Sequence, residues 1–164
     1  MKKARIFCLD EWLFHDLLGE NGKVCQRETT RLLTTIHKQC DRIVVPWESP
    51  WAQKAYKLIK YSSNSPILRN VAKLLSSAFL WNTNKGISIY SSKGSPNPET
   101  MDMEEIPEED RYLVRAALAA GASLLVTTDE KLLEAIQKHD LLKGEHRDSF
   151  IKGYEAFFGE KPLF

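Results

Sequence analysis

The sequence predicts an α/β domain in three layers, with helices flanking a small, mostly parallel, twisted sheet. Three observations carry this expectation. Short apolar runs rich in β-formers recur along the chain, at Ile6-Phe7-Cys8-Leu9, Ile43-Val44-Val45 and Ser123 to Thr128. Stretches with helical spacing separate them, and strands alternating with helices are the mark of this class. The 164 residues suit one ordinary domain, with no internal repeat and no linker to divide them. One domain over residues 1–164 is therefore expected, with residues 140–164 forming a C-terminal docking helix.

Taken in order, Ile6 to Leu9 reads as a buried strand that ends at the acidic pair Asp10-Glu11. Trp12, Leu13, Leu17 and Leu18 follow at helical spacing, and Gly19 to Gly22 close that helix. Residues 24–40 set Val24, Leu32, Leu33 and Ile36 in a long, polar helical pattern. Ile43-Val44-Val45 forms a second strand, expected to stop at Pro46. Two helices fill residues 50–81, and the second carries Ile67, Leu68, Val71, Leu74, Leu75, Ala78 and Phe79 along a face expected in the core. Ile87, Ile89 and Tyr90 suggest a third strand, and the Ser, Gly and Pro content of residues 91–100 marks a loop. Pro107 suits the first position of a helix whose first turn holds Glu108, Glu109 and Asp110 and which Gly121 ends. After the strand Ser123 to Thr128, residues 131–138 read as a helix through Leu132, Leu133 and Ile136, and Phe150, Tyr154, Phe157 and Phe158 make the tail aromatic.

Composition excludes several classes. Hydrophobic residues at 43% and charged residues at 27% are globular usage, and a net charge of +1 gives no whole-molecule attraction to nucleic acid or membrane. Asp10 and Glu11 break the N-terminal apolar run too early for a signal peptide, and no apolar run is long enough to span a membrane. Cys8, Cys25 and Cys40 are odd in number and form no CxxC pair, which argues against disulfides and structural zinc and fits a reducing cytoplasm. His15, His37, His139 and His146 are scattered without a metal-binding motif.

The chemistry concentrates where acids bracket an apolar stretch, "EEDRYLVRAALAAGASLLVTTDE". A helix from residue 110 to about Ala120 travels about 16 Å at 1.5 Å per residue. The following strand returns about 20 Å. In an α/β unit the two run antiparallel, so Asp110 and Asp129 should be neighbours. Asp10, at the end of the first strand, falls on the same carboxyl edge if the strands are parallel, and ligand sites of open α/β sheets gather there. Three clustered carboxylates raise one another's pKa unless a cation compensates, and all-oxygen ligation suits Mg²⁺ or Mn²⁺. Each acid also has a structural alternative: Asp110 can favour a helix dipole, while Asp129 and Asp10 can cap the helices that follow them. Their convergence favours a site.

At this point the sequence resembles the PIN-domain family. "RIFCLD" followed by a helix, the strand "RIVVP", and "DRYLVRAALAAGASLLVTTD" with its Thr-x-Asp ending carry the resemblance over nearly the whole chain. It implies a PIN-like fold and a metal-dependent nuclease, commonly a ribonuclease, in which Asp10, Asp110 and Asp129 hold Mg²⁺ or Mn²⁺. Two positions depart from the family. Trp12 stands where a small hydroxyl or amide residue is frequent, and no acidic residue occurs from Ser49 to Pro98, within which the family usually has a helix glutamate. Glu48, at the entrance to that helix, is the candidate replacement, and a first-turn acid ahead of Pro50 is its structural alternative. Glu11 and Asp16 lie near Asp10, either in the cleft or facing solvent.

Charge segregation supports a nucleic-acid substrate. From Pro50 to Pro98 there are seven basic residues and no acids, whereas the twelve residues Glu99 to Asp110 hold seven acids and no bases. Lys54, Lys57 and Lys60 can form an oblique stripe along a helix that tracks phosphates, with Arg69 and Lys73 beyond, and Trp51, Tyr56, Tyr61, Trp81 and Tyr90 are interspersed, where exposed rings stack unpaired bases. The alternative is a solvated lysine face with its aromatics in the core.

The expected activity is divalent-metal-dependent hydrolysis of phosphodiester bonds in single-stranded or structured RNA, without a side-chain nucleophile, and with Thr127 or Thr128 orienting a carboxylate or water. A phosphatase with two aspartates after its first strand is disfavoured by Trp12. The rival is a catalytically weakened PIN-like module that binds RNA or a protein partner. The resemblance also implies a toxin with an antitoxin-like protein partner, although the insertion "SSKGSPNPETMDMEE" and the aromatic tail make the chain long for that role, and it implies a homodimer whose interface no motif marks.

Overall fold

The computed structural model describes residues 3–90, 103–140 and 142–158. Strand β1 (Ile6–Leu9) leads into helices α1 (Trp12–Leu17) and α2 (Lys23–Lys38). Strand β2 (Arg42–Trp47) leads into α3 (Pro50–Lys60), a 3-10 turn (Tyr61–Asn64), α4 (Pro66–Leu75) and a π turn (Ser76–Leu80). Strand β3 (Gly86–Tyr90) is followed, from residue 103 on, by a 3-10 turn (Glu108–Asp110), α5 (Arg111–Ala120), β4 (Leu124–Thr127), α6 (Glu130–His139), β5 (Gly144–His146) and α7 (Arg147–Phe158). The five strands pair in parallel in the order β3-β2-β1-β4-β5.

Alternation of side chains along β1 separates the layers. Phe7 packs edge-on against Phe150 and Tyr154 of α7, whereas the Cys8 thiol reaches the Leu113 carbonyl of α5, so α7 and α5 cover opposite faces. The connections β3-α5-β4 and β4-α6-β5 step the same way across the sheet, which puts α5 and α6 together under the right-handed crossover rule. Steps from β1 to β2 to β3 go the other way and put α1 to α4 on the α7 side. The three-layer α/β class is thus as expected from the sequence. No helix among the described residues is long and apolar enough to cross a membrane.

Local chemistry sets the element ends. Ser49 and Ser65 are extended N-caps whose hydroxyls accept from Ala52 N and Leu68 N, each followed by a proline that is preset for the first helical position. Gly121 ends α5 in the left-handed region, at φ 67°, where a Cβ is strained.

Several sequence expectations need correction. β2 does not stop at Pro46 but runs through it to Trp47. Arg42 N–H donates to the Arg5 carbonyl, so the two-residue period turns the Pro46 nitrogen toward Leu9, and there the Leu9 carbonyl accepts from the Trp51 indole N–H at 2.7 Å instead. The missing ladder donor is replaced by a side chain. Ile67 is exposed rather than core, while Val71, Leu75, Ala78 and Phe79 of the same helical stretch are buried. Helix α5 begins at Arg111, after a 3-10 turn over the three acids, not at Pro107. The tail is more than a docking helix: Gly144–His146 adds a fifth strand before α7. A Cβ at Gly144 would lie 2.9 Å from the terminal methyls of Ile136 and Leu133, so a larger residue there would make those side chains of α6 shift. The loop expected at residues 91–100 lies outside the described residues.

Candidate carboxylate site at the sheet edge

The site is built from the strand register. β1 pairs with β4 through Leu9↔Val126, which brings Asp10 level with Thr127. The Val126 carbonyl accepts from Asp10 N at 3.0 Å and from the Trp12 indole at 2.8 Å, so Trp12 seals the strand ends where a smaller residue was expected. The fully buried Thr127 hydroxyl donates to Asp10 Oδ2 at 2.6 Å and accepts from Asp129 N at 3.0 Å. Asp10 Oδ1 accepts from Glu11 N at 2.6 Å. Of the two threonines weighed from sequence, Thr127 links the two aspartates.

Asp129 is also the N-cap of α6, its Oδ1 accepting from Lys131 N at 2.9 Å and Leu132 N at 3.3 Å. Asp110 sits at the N-cap position of α5 with no capping bond, and its Oδ2 is buried without a hydrogen-bond partner. Burial, then the charges of Asp10, Asp129 and Glu109, push the Asp110 carboxyl up to about 7, with the Asp129 carboxylate within hydrogen-bonding reach. Burial also raises Asp10, reinforced by Glu11 and Asp129 and partly opposed by the bonds from Thr127 and Glu11 N. The fold therefore brings Asp10, Asp110 and Asp129 within electrostatic contact. Among the described residues no Lys, Arg or His forms an ion pair with any of them.

Glu11 joins this cleft. Its charge bears on Asp10, and burial, reinforced by the Glu11 charge, holds the Tyr112 phenol well above its ordinary pKa. Tyr112 Oη is buried without a normal hydrogen bond. Lys54 Nζ lies 3.4 Å from Glu11 Oε1 and 3.1 Å from His15 Nε2, while His15 Nδ1 lies 2.5 Å from Glu20 Oε2. Lys54 is thus fixed at the rim by two groups. Sequence reasoning missed Tyr112 and the His15–Glu20 support because nothing in the local pattern says which helix faces meet.

The other nominated residues scatter. Glu48 is exposed in the turn after β2, at φ 58°, and it is not among the charges acting on Asp10 or Asp110. Asp16 neither enters the cleft nor faces solvent, being paired with Arg147 in the core. Lys57 and Lys60 are exposed on α3, and Arg69 and Lys73 on α4. Lys85 is withdrawn from any phosphate role, since its ammonium caps the carbonyls of Ile36, Gln39 and Asp41. Trp51 is core, not a stacking surface.

All-oxygen donors and an orphaned buried carboxylate oxygen suit a hard divalent cation. As the side chains lie, however, no three His, Cys, Asp or Glu among the described residues form a group that could hold an ion. Asp10 has both oxygens turned to a hydroxyl and an amide, and Asp129 has one turned to its helix. Asp110 Oδ2 is buried and without a partner, and Asp129 turns only Oδ1 to its helix.

No family model matches the chain, and no curated protein matches it in sequence. Among solved structures it is similar to the VapBC2 crystal structure from Rickettsia felis, bound to a DNA fragment from their promoter, with 15% identity and a TM-score of 0.47 over 86% of this chain and 98% of that chain.

Proposed function

We infer that this chain is a PIN-like, divalent-metal-dependent nuclease that hydrolyses phosphodiester bonds, with RNA as substrate. The supporting observation is the group Asp10, Asp110 and Asp129 on one sheet edge, buried enough to lift Asp110 to about 7 and given no protein cation. A fold does not gain stability from such a group, because like charges this close oppose one another. Mg²⁺ or Mn²⁺ bound by these carboxylates would supply positive charge that acidifies a water and offsets charge developing on phosphate.

The chain's own residues do the rest. Thr127 holds Asp10 and the Asp129 backbone in register, Trp12 closes the strand ends behind them, and Tyr112 stands beside Glu11. Lys54, pre-positioned by Glu11 and His15, meets the phosphate backbone at the rim, and Lys57 and Lys60 continue the path along α3, with Arg69 and Lys73 beyond.

A second reading, a module that binds RNA or a protein partner without cleaving, is favoured by two observations. Glu48 sits in an exposed turn, and the three aspartates are not gathered into an ion-holding arrangement. An antitoxin-like partner and a homodimer belong to either reading. Incubating single-stranded RNA with the protein and Mn²⁺ separates them. Cleavage that Asp129→Asn and Asp110→Asn abolish supports the nuclease; RNA retained uncut by the unaltered chain supports the binder.

A further inference from the structure

Away from the carboxylates, the end of β2 carries a group of aromatic rings that the fold leaves open to water. Trp47 stacks on Trp81 with ring centroids 5.7 Å apart and planes at 22°, and Tyr56 of α3 tilts against it at 6.0 Å. The Trp47 indole donates to the Ser88 hydroxyl of β3 at 2.9 Å, which fixes the central ring across the edge strand. Trp47 itself is buried, but Trp81 is 64% exposed and Tyr56 54%. Tyr90, level with Trp47 in the β2–β3 register, is exposed beside them.

Burial does not account for these rings. An indole with most of its surface in water contributes little to the core, and stacking on Trp47 covers one face while leaving the other free. The surroundings are cationic: Tyr56 and Lys60 stand four residues apart on one exposed face of α3, with Lys57 next to Tyr56, and no acid occurs from Ser49 to Pro98. Glu48, exposed and next to Trp47, is the nearest acid in sequence to that ring and to Tyr56, and Glu99 is the nearest to Trp81 and Tyr90. The register also ties the rings to the proposed cleft. Continuing the pairing Phe7↔Ile43 puts Pro46 level with Asp10, one strand away at about 4.8 Å, and Trp47 follows Pro46.

The geometry points to a base-stacking platform, formed by Trp81 on Trp47 with Tyr56 at its side, that binds the unpaired bases of a single-stranded nucleic acid whose phosphates run along Lys57 and Lys60. The preset stack offers a π face to any base, and the lysines meet the backbone, so the ligand is single-stranded and read without sequence preference. Duplexes, whose bases are already stacked, gain only the lysine contacts. This deepens the nuclease reading by naming single-stranded substrate, and the binding it describes exists without cleavage.

The test measures binding of labelled ten-nucleotide oligo(U), oligo(dT) and a duplex of equal length by fluorescence anisotropy in EDTA, where no metal-dependent cleavage occurs. We expect both single strands to bind more tightly than the duplex. Trp81→Ala should weaken single-strand binding about tenfold, with duplex binding unchanged and the melting temperature retained. Trp81→Phe should keep most of the affinity, and Ile67→Ala, on an exposed site of α4, all of it. Tighter binding of oligo(U) than oligo(dT) assigns a ribose contact in addition; equal binding assigns the platform to bases alone, and both support it. Unchanged affinity in Trp81→Ala overturns the platform, as does failure of either single strand to bind, which leaves the rings to a protein partner. If the platform falls while Mn²⁺-dependent cleavage persists, the nuclease reading stands; if Trp81→Ala behaves as expected and no RNA is cut, that reading alone fails.

Discussion

Two groups of buried aspartates are treated in opposite ways by this fold. Asp16 is 1% exposed and Asp41 4%, and each has been given a cation and a hydroxyl. Asp16 accepts from Arg147 Nε at 2.6 Å, Thr29 at 2.7 Å and Asn21 at 2.7 Å, and Asp41 accepts from Arg5 N and Nη2 and from Tyr154 at 2.8 Å. Asp10 and Asp110, at 9% and 7%, have no basic partner among the described residues. The first pair stitches α1, α2 and α7 together, and ties β1 to the tail. At the carboxyl edge charge is left over, and leftover buried charge is what an incoming cation neutralises.

Breaking the first group should have the largest effect. Arg147→Ala leaves the Asp16 side chain buried without its cation, and we expect a loss of about 3–5 kcal/mol in urea unfolding. Breaking the second should spare stability and remove activity. Asp110→Asn is expected to lower Mn²⁺-dependent RNA cleavage by at least about 100-fold, measured on a labelled single strand.

The same substitution sharpens the comparison through pH. The Asp110 pKa in the fold, about 7, lies above the ordinary carboxyl value of about 3.9. The folded state therefore holds this proton more strongly, and the stability it confers is fully present below about pH 4 and lost as pH rises to about 7. In EDTA, Asp110→Asn should gain of order 1 kcal/mol over the unaltered chain at pH 8, and little at pH 4, with the value kept well below full conversion because the cleft admits water. Melting curves at the two pH values check it. Smallest is Lys60→Ala, which should weaken single-strand binding a few-fold and reduce the salt slope by about one.

The difference between the two groups also explains what the sequence could reveal. The apolar runs IFCL, IVV and LLVT, with turn signals beside them, disclosed three of the strands, and the alternation of Ile87 and Ile89 with polar residues suggested a fourth. The strand Gly144–His146 has neither length nor apolar residues, being held by pairing with β4 alone, so no local pattern announces it. Asp10, Asp110 and Asp129 were legible as neighbours since strand and helix lengths alone return the chain to one edge. Glu11 and Asp16, five residues apart, were not separable by sequence: which one enters the cleft depends on Arg147, more than a hundred residues away, reaching the α1–α2 face. Pro46 misled for a similar reason, since the Trp51 indole that replaces its N–H belongs to the next helix.

The proposed pocket of Asp10, Asp110 and Asp129 needs a divalent ion to complete it. Titrating Mn²⁺ into the protein at pH 7.5, followed by calorimetry with melting temperature as a second readout, tests it directly. We expect saturable binding that raises the melting temperature and is lost in Asp110→Asn. Absence of binding, or an equal response from the variant, would contradict it.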